Sequence, residues 1–203
     1  MAVVLVNWAL ATLAEVKEYL GITDTTNDDL LSRLINSASS FVEKETDRRL
    51  VATAYDKDTA SDKENTWFDG DGSGKQFLRQ YPVNSVSAVE VSGATISAAS
   101  ATDYYGSTGF ALYFRKGLLY YAAGFAAGIQ NVRVNYNAGY VAGTPEREEL
   151  RELLCSLVAY TWNHRKKMGF KMERLGNYQY SRSDLREGWQ QKTISRYRRK
   201  RSG

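Results

Sequence analysis

The order of its segments is the feature that most constrains what this chain can fold into. Two amphipathic helical segments lie early in the sequence and a third lies late, on either side of a block rich in Tyr and Gly that lacks helical periodicity. Helices and strands that are segregated along a chain are typical of α+β proteins. We therefore predict an α+β fold: a small helical bundle core (residues 1–64 and 144–168) with an inserted antiparallel β-hairpin region (65–143) and an extended basic C-terminal arm (169–203).

The two early helices have clear sequence signals. The first begins after Thr12, which forms a capping box with Glu15, and ends at Gly21, which can adopt the left-handed conformation of a C-cap. The second is predicted over Asp28–Thr46. Its apolar residues follow the spacing of one buried face: Leu30, Leu31, Leu34, Ile35, Ala38, Phe41 and Val42.

The late helix begins with a cap, Thr144, followed by Pro145 at the first helical position, and acidic residues lie in its first turn. Gly169 is predicted to end it. Cys155 is the only cysteine of the chain, and its place beside Leu154 predicts a buried thiol and no nucleophile. The predicted apolar face is Leu150, Leu153, Leu154, Leu157, Val158 and Thr161.

The block between the helices shows the period of strands. Residues 132–136 alternate apolar and polar side chains, residues 110–114 do the same, and residues 118–121 form a short strand candidate. Glycines at 106, 109, 117, 124 and 128 are predicted turns. Asp69–Gly74 superficially resembles a calcium-binding loop, but the twelfth position of that loop is Gln80 in place of glutamate. Because the sequences on either side look like strands, we predict that it is the turn of a hairpin.

Sequence motifs of catalysis are incomplete in this chain. Gly74-Lys75 lacks both the earlier glycine and the following Ser or Thr of a phosphate-binding loop. His164 is the only histidine, and no orienting acid is evident beside it. One His and one Cys make no ordinary zinc site. We therefore predict no enzyme activity, no catalytic residue, no cofactor and no metal.

Charge is distributed unevenly along the chain. From residue 164 onward there are thirteen Lys or Arg and three acids, whereas residues 1–163 hold fourteen basic and twenty acidic residues. A basic C-terminal arm on an acidic body indicates an anionic partner or an acidic protein surface. The arm lacks a complete apolar stripe, so we expect it to be mobile in the free subunit and ordered by its partner.

The first eleven residues are largely apolar, but Asn7 interrupts them and Glu15 follows closely. They are too few to span a bilayer, which takes about 20 residues. We expect this segment to pack on the protein's own core or on a neighbouring subunit, and we predict no membrane association.

Four stretches of this sequence resemble the head–tail connector (adaptor) proteins of tailed bacteriophages, which form a ring beneath the portal. They are TLAEVKEYLGI, DDLLSRLINSASSFVEKETDRRL, QYPVNSVSAVEV and VRVNYNAGYVAGTPEREELRELLCSLVAYTWNHR. The resemblance covers about residues 12–50, 75–91 and 131–168, and it depends on the order and spacing of the pieces.

The resemblance implies a structural virion protein at the head–tail interface, synthesised in the host bacterial cytoplasm. Identical copies would form a ring, twelve-fold to match the portal, that joins the portal protein to a tail-side connector or tail-completion protein. DNA would pass through the channel without specific recognition. The alternative function is that of a DNA-binding accessory protein acting through its basic C-terminal arm.

For a connector, the basic arm is the predicted portal-docking segment, with Trp189 and Tyr197 as aromatic anchors. The predicted docking residues are Leu185, Trp189, Ile194, Arg196, Tyr197, Arg198, Arg199, Lys200 and Arg201.

Overall fold

The computed structural model describes residues 3–100, 103, 108–165, 172–175, 178–181 and 188–199. The chain divides into two compact units: a helical unit, Met1–Arg48 with Gly143–Gly203, and a sheet unit, Arg49–Ala142. The helices are α1 Leu13–Leu20, α2 Asp28–Thr46, α3 Lys63–Thr66, α4 Pro145–His164 and α5 Trp189–Tyr197. The strands are β1 Thr53–Tyr55, β2 Trp67–Gly70, β3 Lys75–Phe77, β4 Val83–Val91, β5 Ala94–Ile96, β6 Ala111–Tyr113, β7 Leu118–Tyr120, β8 Gly128–Ala138, β9 Met172–Leu175 and β10 Tyr178–Ser181. Helices combined with antiparallel sheets confirm the predicted α+β fold class.

Helix α1 has the predicted caps at both ends. Glu15 N donates to Thr12 Oγ1 at 3.3 Å, and Thr12 N donates to Glu15 Oε2 at 2.7 Å, which completes the capping box. Gly21 has φ 68°, and its amide donates to Glu18 O at 3.1 Å. The polar groups at both ends of this short helix therefore have partners.

Helix α2 has the predicted bounds, but its buried face is rotated from the predicted one. Phe41, predicted to be buried, is 46% exposed. Serine and threonine take inner positions because their hydroxyls find partners there: Leu10 N donates to Ser39 Oγ at 3.2 Å, and Thr46 Oγ1 donates to Val42 O at 2.9 Å. The predicted residues that are only half-buried are Leu30, Leu34 and Ala38. The buried residues are Leu31, Ser32, Ile35, Ser39, Val42 and Thr46.

The N-terminal segment, residues 3–11, runs along α2 in the same direction. The amides of Val3, Val6 and Leu10 donate to side chains of this helix. The acceptors are, in order, Asp29 Oδ1 at 3.0 Å, Asn36 Oδ1 at 3.0 Å and Ser39 Oγ at 3.2 Å. Asn36 also donates to Val4 O at 3.0 Å. Polar side chains of α2 thus form hydrogen bonds with the backbone of this segment, as a neighbouring strand would in a sheet. The segment therefore packs on its own unit.

Helix α4 begins after Thr144 with Pro145 at its first position, as predicted, and it ends at His164. Gly169, predicted to end it, lies outside the described residues. Thr161 is half-buried and donates its hydroxyl to Leu157 O at 3.1 Å. No helix in the described parts of the chain is long and apolar enough to cross a membrane. The buried residues of α4 are Leu150, Leu153, Leu154, Cys155, Leu157 and Val158.

The sheet unit consists of two antiparallel sheets with one apolar core. The larger sheet has the order β1-β8-β4-β5, with β2 also paired to β8, and the smaller has the order β3-β7-β6. Strand β8 alternates as predicted: Val132, Val134 and Tyr136 are buried and Arg133 and Asn135 are not. Both sheets and their connections contribute to the core, which comprises Tyr55, Phe68, Leu78, Val83, Val89, Val91, Phe110, Leu119, Phe125, Val132, Val134, Tyr136 and Ala138.

Two features of the chain's organisation differ from the predictions. The division between units falls at residues 48 and 49, whereas the predicted boundary followed residue 64. The reason is that β1 pairs with β8, and the rings of Tyr55 and Tyr136 stack with centroids 5.1 Å apart. The predicted hairpin at Asp69–Gly74 is wrong, because β2 pairs with β8 and β3 pairs with β7. This loop connects the two sheets.

Candidate interaction surfaces

Helix α5 packs in the helical unit against α2 and α4. Thr193, Ile194 and Tyr197 are its buried residues, and they lie on one face of the helix because they are spaced by one, three and four positions. Burial of an Ile and a Tyr side chain contributes apolar stabilisation that an extended arm would lack. The C-terminal segment therefore contains a folded element, although its sequence is strongly basic.

Polar contacts fix the C-terminal end of α5. Arg48 is only 6% exposed, and its Nε donates to Tyr197 O at 2.8 Å. The Tyr197 hydroxyl donates to Glu149 Oε2 at 2.6 Å, and Arg196 Nη1 binds Glu149 Oε1 at the same distance. The Glu149 carboxylate of α4 thus binds two side chains of α5, and the buried guanidinium of Arg48 binds the last turn of α5.

The residues after α5 bind the C-terminal end of α2. Arg198 Nε donates to Glu45 O at 2.9 Å, and its Nη2 lies 3.0 Å from Glu45 Oε2. Arg199 N donates to Thr46 O at 2.8 Å. The last carbonyl groups of a helix have no partner within it, so these contacts satisfy acceptors that α2 leaves open.

The structure changes the interpretation of the predicted docking residues. Ile194 and Tyr197 do not complete an apolar stripe in the sequence, but they are buried within the helical unit. Arg196 and Arg198 bind Glu149 and Glu45, as described above. Trp189, at the first position of α5, is 48% exposed, so it is the predicted aromatic anchor that remains available at the surface. Leu185, Lys200 and Arg201 lie outside the described residues.

The outer side of the smaller sheet carries large apolar side chains. Phe77 and Tyr113 both lie opposite Leu118 in the register, so the three side chains form one row across the strands. Phe77 is 46% exposed and Tyr113 is 48% exposed. Tyr120, two residues beyond Leu118 on the central strand, points to the same side. We call these four residues the aromatic face.

Further residues border the aromatic face. Phe114, directly after β6, is 55% exposed. Lys75 lies opposite Tyr120 in the register, and Arg115 and Lys116 follow Phe114 in a 3₁₀ turn. These three cations are exposed, and within the described residues they form no ion pair. The surface therefore combines an apolar centre with a cationic edge.

The outer side of β8 has the opposite character. Its residues are Asn131, Arg133, Asn135 and Asn137, which we call the asparagine face. The side-chain oxygens of the three asparagines accept hydrogen bonds at 2.7–2.9 Å, and Arg133 Cζ lies 4.2 Å from the centroid of the Trp67 ring. This side of the sheet unit is satisfied by its own polar contacts.

The sequence prediction missed the aromatic face because it assigned residues 110–114 to one alternating strand. Phe110 and Leu112 do point inward, but Phe114 lies beyond the end of β6, so the alternation stops before it. Tyr113 is next to the inward-pointing Leu112 in β6, so the alternation of side chains places it on the outer side. This alternation was the sequence signal that could have located Tyr113. The row with Phe77 depends on the pairing with β7, which the sequence does not show.

The motifs that superficially resemble chemical sites have structural roles in the sheet unit. Asp69 Oδ1 accepts from Gln130 N at 2.7 Å, and Asp71 Oδ1 accepts from Ser73 N at 2.8 Å. Hydrogen bonds from the Ser73 hydroxyl and amide lower the pKa of Asp71. In the described parts of the chain, no group of three or more His, Cys, Asp or Glu residues is arranged to hold a metal ion.

The two reactive side chains of α4 are engaged within the helix. The ring of His164 stacks on Tyr160 with centroids 4.3 Å apart, and its Nδ1 lies 2.8 Å from Tyr160 O. Cys155 is buried, as predicted, and burial together with the nearby Glu152 and Glu15 carboxylates raises the pKa of its thiol to about 11. A thiol with that pKa is protonated at neutral pH and is a poor nucleophile.

Comparison with solved structures identifies proteins of similar fold. A chain of the "Virion of native gene transfer agent (GTA) particle" has a TM-score of 0.57 at 17% sequence identity, over 100% of this chain and 96% of that chain. A chain of the "Neck of native GTA particle computed with C12 symmetry" has a TM-score of 0.53 at 17% identity over the same shares. A chain of the "Neck of empty GTA particle computed with C6 symmetry" has a TM-score of 0.52 at 16% identity, again over 100% and 96% of the two chains. No curated protein sequence matches this chain significantly.

Comparison with family models gives a match over residues 9–172, to the family described as "Head completion protein". The match includes α1, α2, α4 and the whole sheet unit, and it ends before α5. All four stretches that resemble head–tail connectors lie within it, so the predicted relationship is confirmed. Because the family model covers most of the sequence, the chain belongs to the head completion protein family.

Proposed function

We propose that this protein is a head–tail connector, a structural virion component that joins the portal to the tail. The observation that carries the proposal is the family match over residues 9–172. The fold supports it, because chains of similar fold occur in the neck of a gene transfer agent particle. In this proposal the protein is made in the host bacterial cytoplasm and resides at the head–tail interface of the virion.

Identical copies form a closed ring, with twelve-fold symmetry as the expected arrangement. A neck structure that contains a chain of similar fold was computed with C12 symmetry, which supports this number. Contacts between two different surfaces of the same chain generate a ring when their rotation closes. The ring surrounds a channel for DNA, and the six-charge excess of acids over bases in residues 1–163 favours passage of the duplex without specific binding.

The ring has one partner on each side: the portal protein, and a tail-side connector or tail-completion protein. The C-terminal arm is the proposed portal-docking segment, and the exposed Trp189 is its aromatic anchor. Ile194 and Tyr197 hold α5 on the helical unit, and Arg196 and Arg198 support them through Glu149 and Glu45. In this proposal α5 is fixed to the helical unit, and its exposed Trp189 contacts the portal.

Electron microscopy of the full chain, alone and mixed with purified portal rings, tests the proposal. We expect a ring seated on the portal. Trp189→Ala should weaken portal attachment by more than about tenfold, as expected for an aromatic anchor at an interface. Lys192→Ala is the matched control, because Lys192 is exposed on the same helix. Its effect should be less than about threefold, as for a charge at the rim of an interface.

Two results would contradict the proposal. Failure of the full chain to attach to portals would remove the connector function. If a chain truncated after residue 182 attached normally but lost a steeply salt-dependent affinity for duplex DNA, the arm would be a nucleic-acid tether. The charge of residues 164–203 makes this DNA-binding alternative worth measuring in the same experiment.

A further inference from the structure

The aromatic face differs from the asparagine face of the same unit. Facing residues on neighbouring antiparallel strands have Cβ atoms about 4.5–5.5 Å apart, so Phe77, Leu118 and Tyr113 form a continuous apolar row. An aromatic side chain can bury about 150–250 Å². Together with Phe114, which follows Tyr113 in the chain, the row leaves on the order of 300 Å² of apolar surface, and a patch of that size on a soluble protein is often functional.

The asparagine face provides the internal comparison. The same unit builds the side of β8 that faces away from its core from half-buried polar residues whose oxygens accept hydrogen bonds from their neighbours, as Asn131, Asn135 and Asn137 do. On the smaller sheet the corresponding outward positions hold Phe, Leu and Tyr. Apolar side chains contribute nothing to stability while they face water, so a covered state of this face is favoured.

The charges around the aromatic face indicate what covers it. Lys75, Arg115 and Lys116 border it without a carboxylate partner among the described residues. An acidic protein surface would complement them, and residues 1–163 of this same chain hold twenty acids against fourteen bases. Nucleic acid fits less well, because three cations neutralise few phosphates and the acidic body repels DNA.

We propose that the aromatic face is a subunit contact: it packs on the next copy of this chain and helps to close the ring. The inference rests on the proposed function, because it is the ring that supplies identical neighbours. The contact is heterologous, so the face meets a different, acidic surface of the neighbour. A stable interface takes about 800 Å² from each partner, so the aromatic face forms the apolar centre of a larger contact, and the three cations lie at its rim.

Two paired substitutions in the full chain test this proposal. Phe77→Asp with Tyr113→Asp places two acids at the centre of the contact. The matched control is Ile129→Asp, because Ile129 is 87% exposed in the same unit but lies on β8, away from the smaller sheet. Sedimentation velocity over a concentration series and electron microscopy on portal rings would measure ring formation, and far-ultraviolet circular dichroism would measure folding.

We expect the wild-type chain and Ile129→Asp to form rings. The double variant should keep its fold, and its affinity for self-association should fall about a hundredfold or more, as expected when two interface hot spots are removed. A second variant covers the case in which the first does not fold: Arg115→Glu with Lys116→Glu changes only exposed residues of a turn. It should weaken ring formation by about three- to tenfold, most strongly at low salt.

Each other outcome has a distinct meaning. If the wild-type chain forms no ring, alone or on portals, the proposed function fails and the subunit contact fails with it. If the wild-type chain forms rings and both paired variants do so equally well, the connector function stands and the aromatic face is not the contact. If the variants form rings but lose affinity for single-stranded or duplex DNA, the face binds nucleic acid, and the subunit contact is overturned.

Discussion

The two units of this protein provide partners for their backbone groups in different ways. In the sheet unit, strands pair with strands around β8, and one apolar core stabilises both sheets. In the helical unit, individual side chains hold two segments of backbone: Asp29, Asn36 and Ser39 bind the N-terminal segment, and Arg48 binds the end of α5. The sheet unit therefore depends on shared packing, whereas the N-terminal segment and α5 also depend on a few specific polar contacts.

A cavity in the sheet core should have the largest effect. Phe125 is fully buried in that core, so we expect Phe125→Ala to lower the free energy of unfolding by about 3–5 kcal/mol. Chemical denaturation followed by circular dichroism measures the change. The control is Phe114→Ala, whose side chain is 55% exposed and should cost less than about 1 kcal/mol in the isolated chain. Equal effects of the two substitutions would mean that the core does not stabilise the unit as described.

Removing a single polar contact should have a smaller and local effect in the helical unit. Arg48→Ala deletes the donor to Tyr197 O, and we expect it to cost about 2–3 kcal/mol, the range for hydrogen bonds that involve a charged group. Hydrogen exchange should accelerate in residues 189–197 before it accelerates elsewhere. Lys44→Ala, an exposed cation of α2, is the control. Unchanged exchange in α5 would show that burial of Ile194 and Tyr197 is sufficient to hold the helix.

The N-terminal segment offers a third test of the same contrast. Asn36 accepts from Val6 N and donates to Val4 O, both at 3.0 Å, so Asn36→Ala should cost about 1 kcal/mol and should expose residues 3–6 to proteolysis. Asn7→Ala changes an exposed asparagine of the segment itself and should leave both properties unchanged. If residues 3–6 resisted proteolysis equally in the two variants, apolar packing would be what holds the segment in place.

The smallest expected effect concerns pH. Partial burial raises the pKa of Glu15, but hydrogen bonds from the Thr12 amide and hydroxyl and the charge of Arg151 outweigh it, so the pKa lies below its ordinary value of 4.5. The folded state thus binds this proton less readily than the unfolded state. Its contribution is fully present above pH 4.5 and is lost as the pH falls through the folded-state pKa.

The free energy of unfolding should therefore fall slightly less between neutral and acidic pH in Glu15→Gln than in the wild-type protein. Thermal unfolding of the two proteins across that range would measure it. The difference between them should shrink as the pH falls through the folded-state pKa of Glu15, and it should be about 1 kcal/mol or less at pH 7. A difference that grew as the pH fell would contradict the assigned direction of the pKa shift.

Sequence signals were sufficient where structure is local. The capping box of α1, the bounds of α2, the Thr144-Pro145 start of α4 and the alternation of β8 are all encoded within a few neighbouring residues. The pairing of β1 with β8 was not predictable in this way, because its partners lie more than 80 residues apart. That pairing moved residues 49–64 from the predicted helical core to the sheet unit.

The packing of α5 and the position of the aromatic face were not predictable from sequence for the same reason. Ile194 and Tyr197 make a short apolar face that is weak when considered alone, and its partner Arg48 lies 149 residues away. The exposure of Phe41 depended on which side of α2 the N-terminal segment covers, and the aromatic face depended on the register of three strands. Long-range contacts determine all of these positions, whereas the periodicity of a sequence indicates only its local structure.

The burial of Cys155 has a practical consequence for locating the protein within an assembly. The chain holds no other thiol, and this one is protonated at neutral pH, so maleimide reagents should leave the wild-type protein unlabelled. A cysteine introduced at any exposed position would then carry the only spin label or fluorophore of the subunit. Distances between equivalent labels would give the radius at which that position lies from a symmetry axis, and a few such positions would orient each subunit without a crystal.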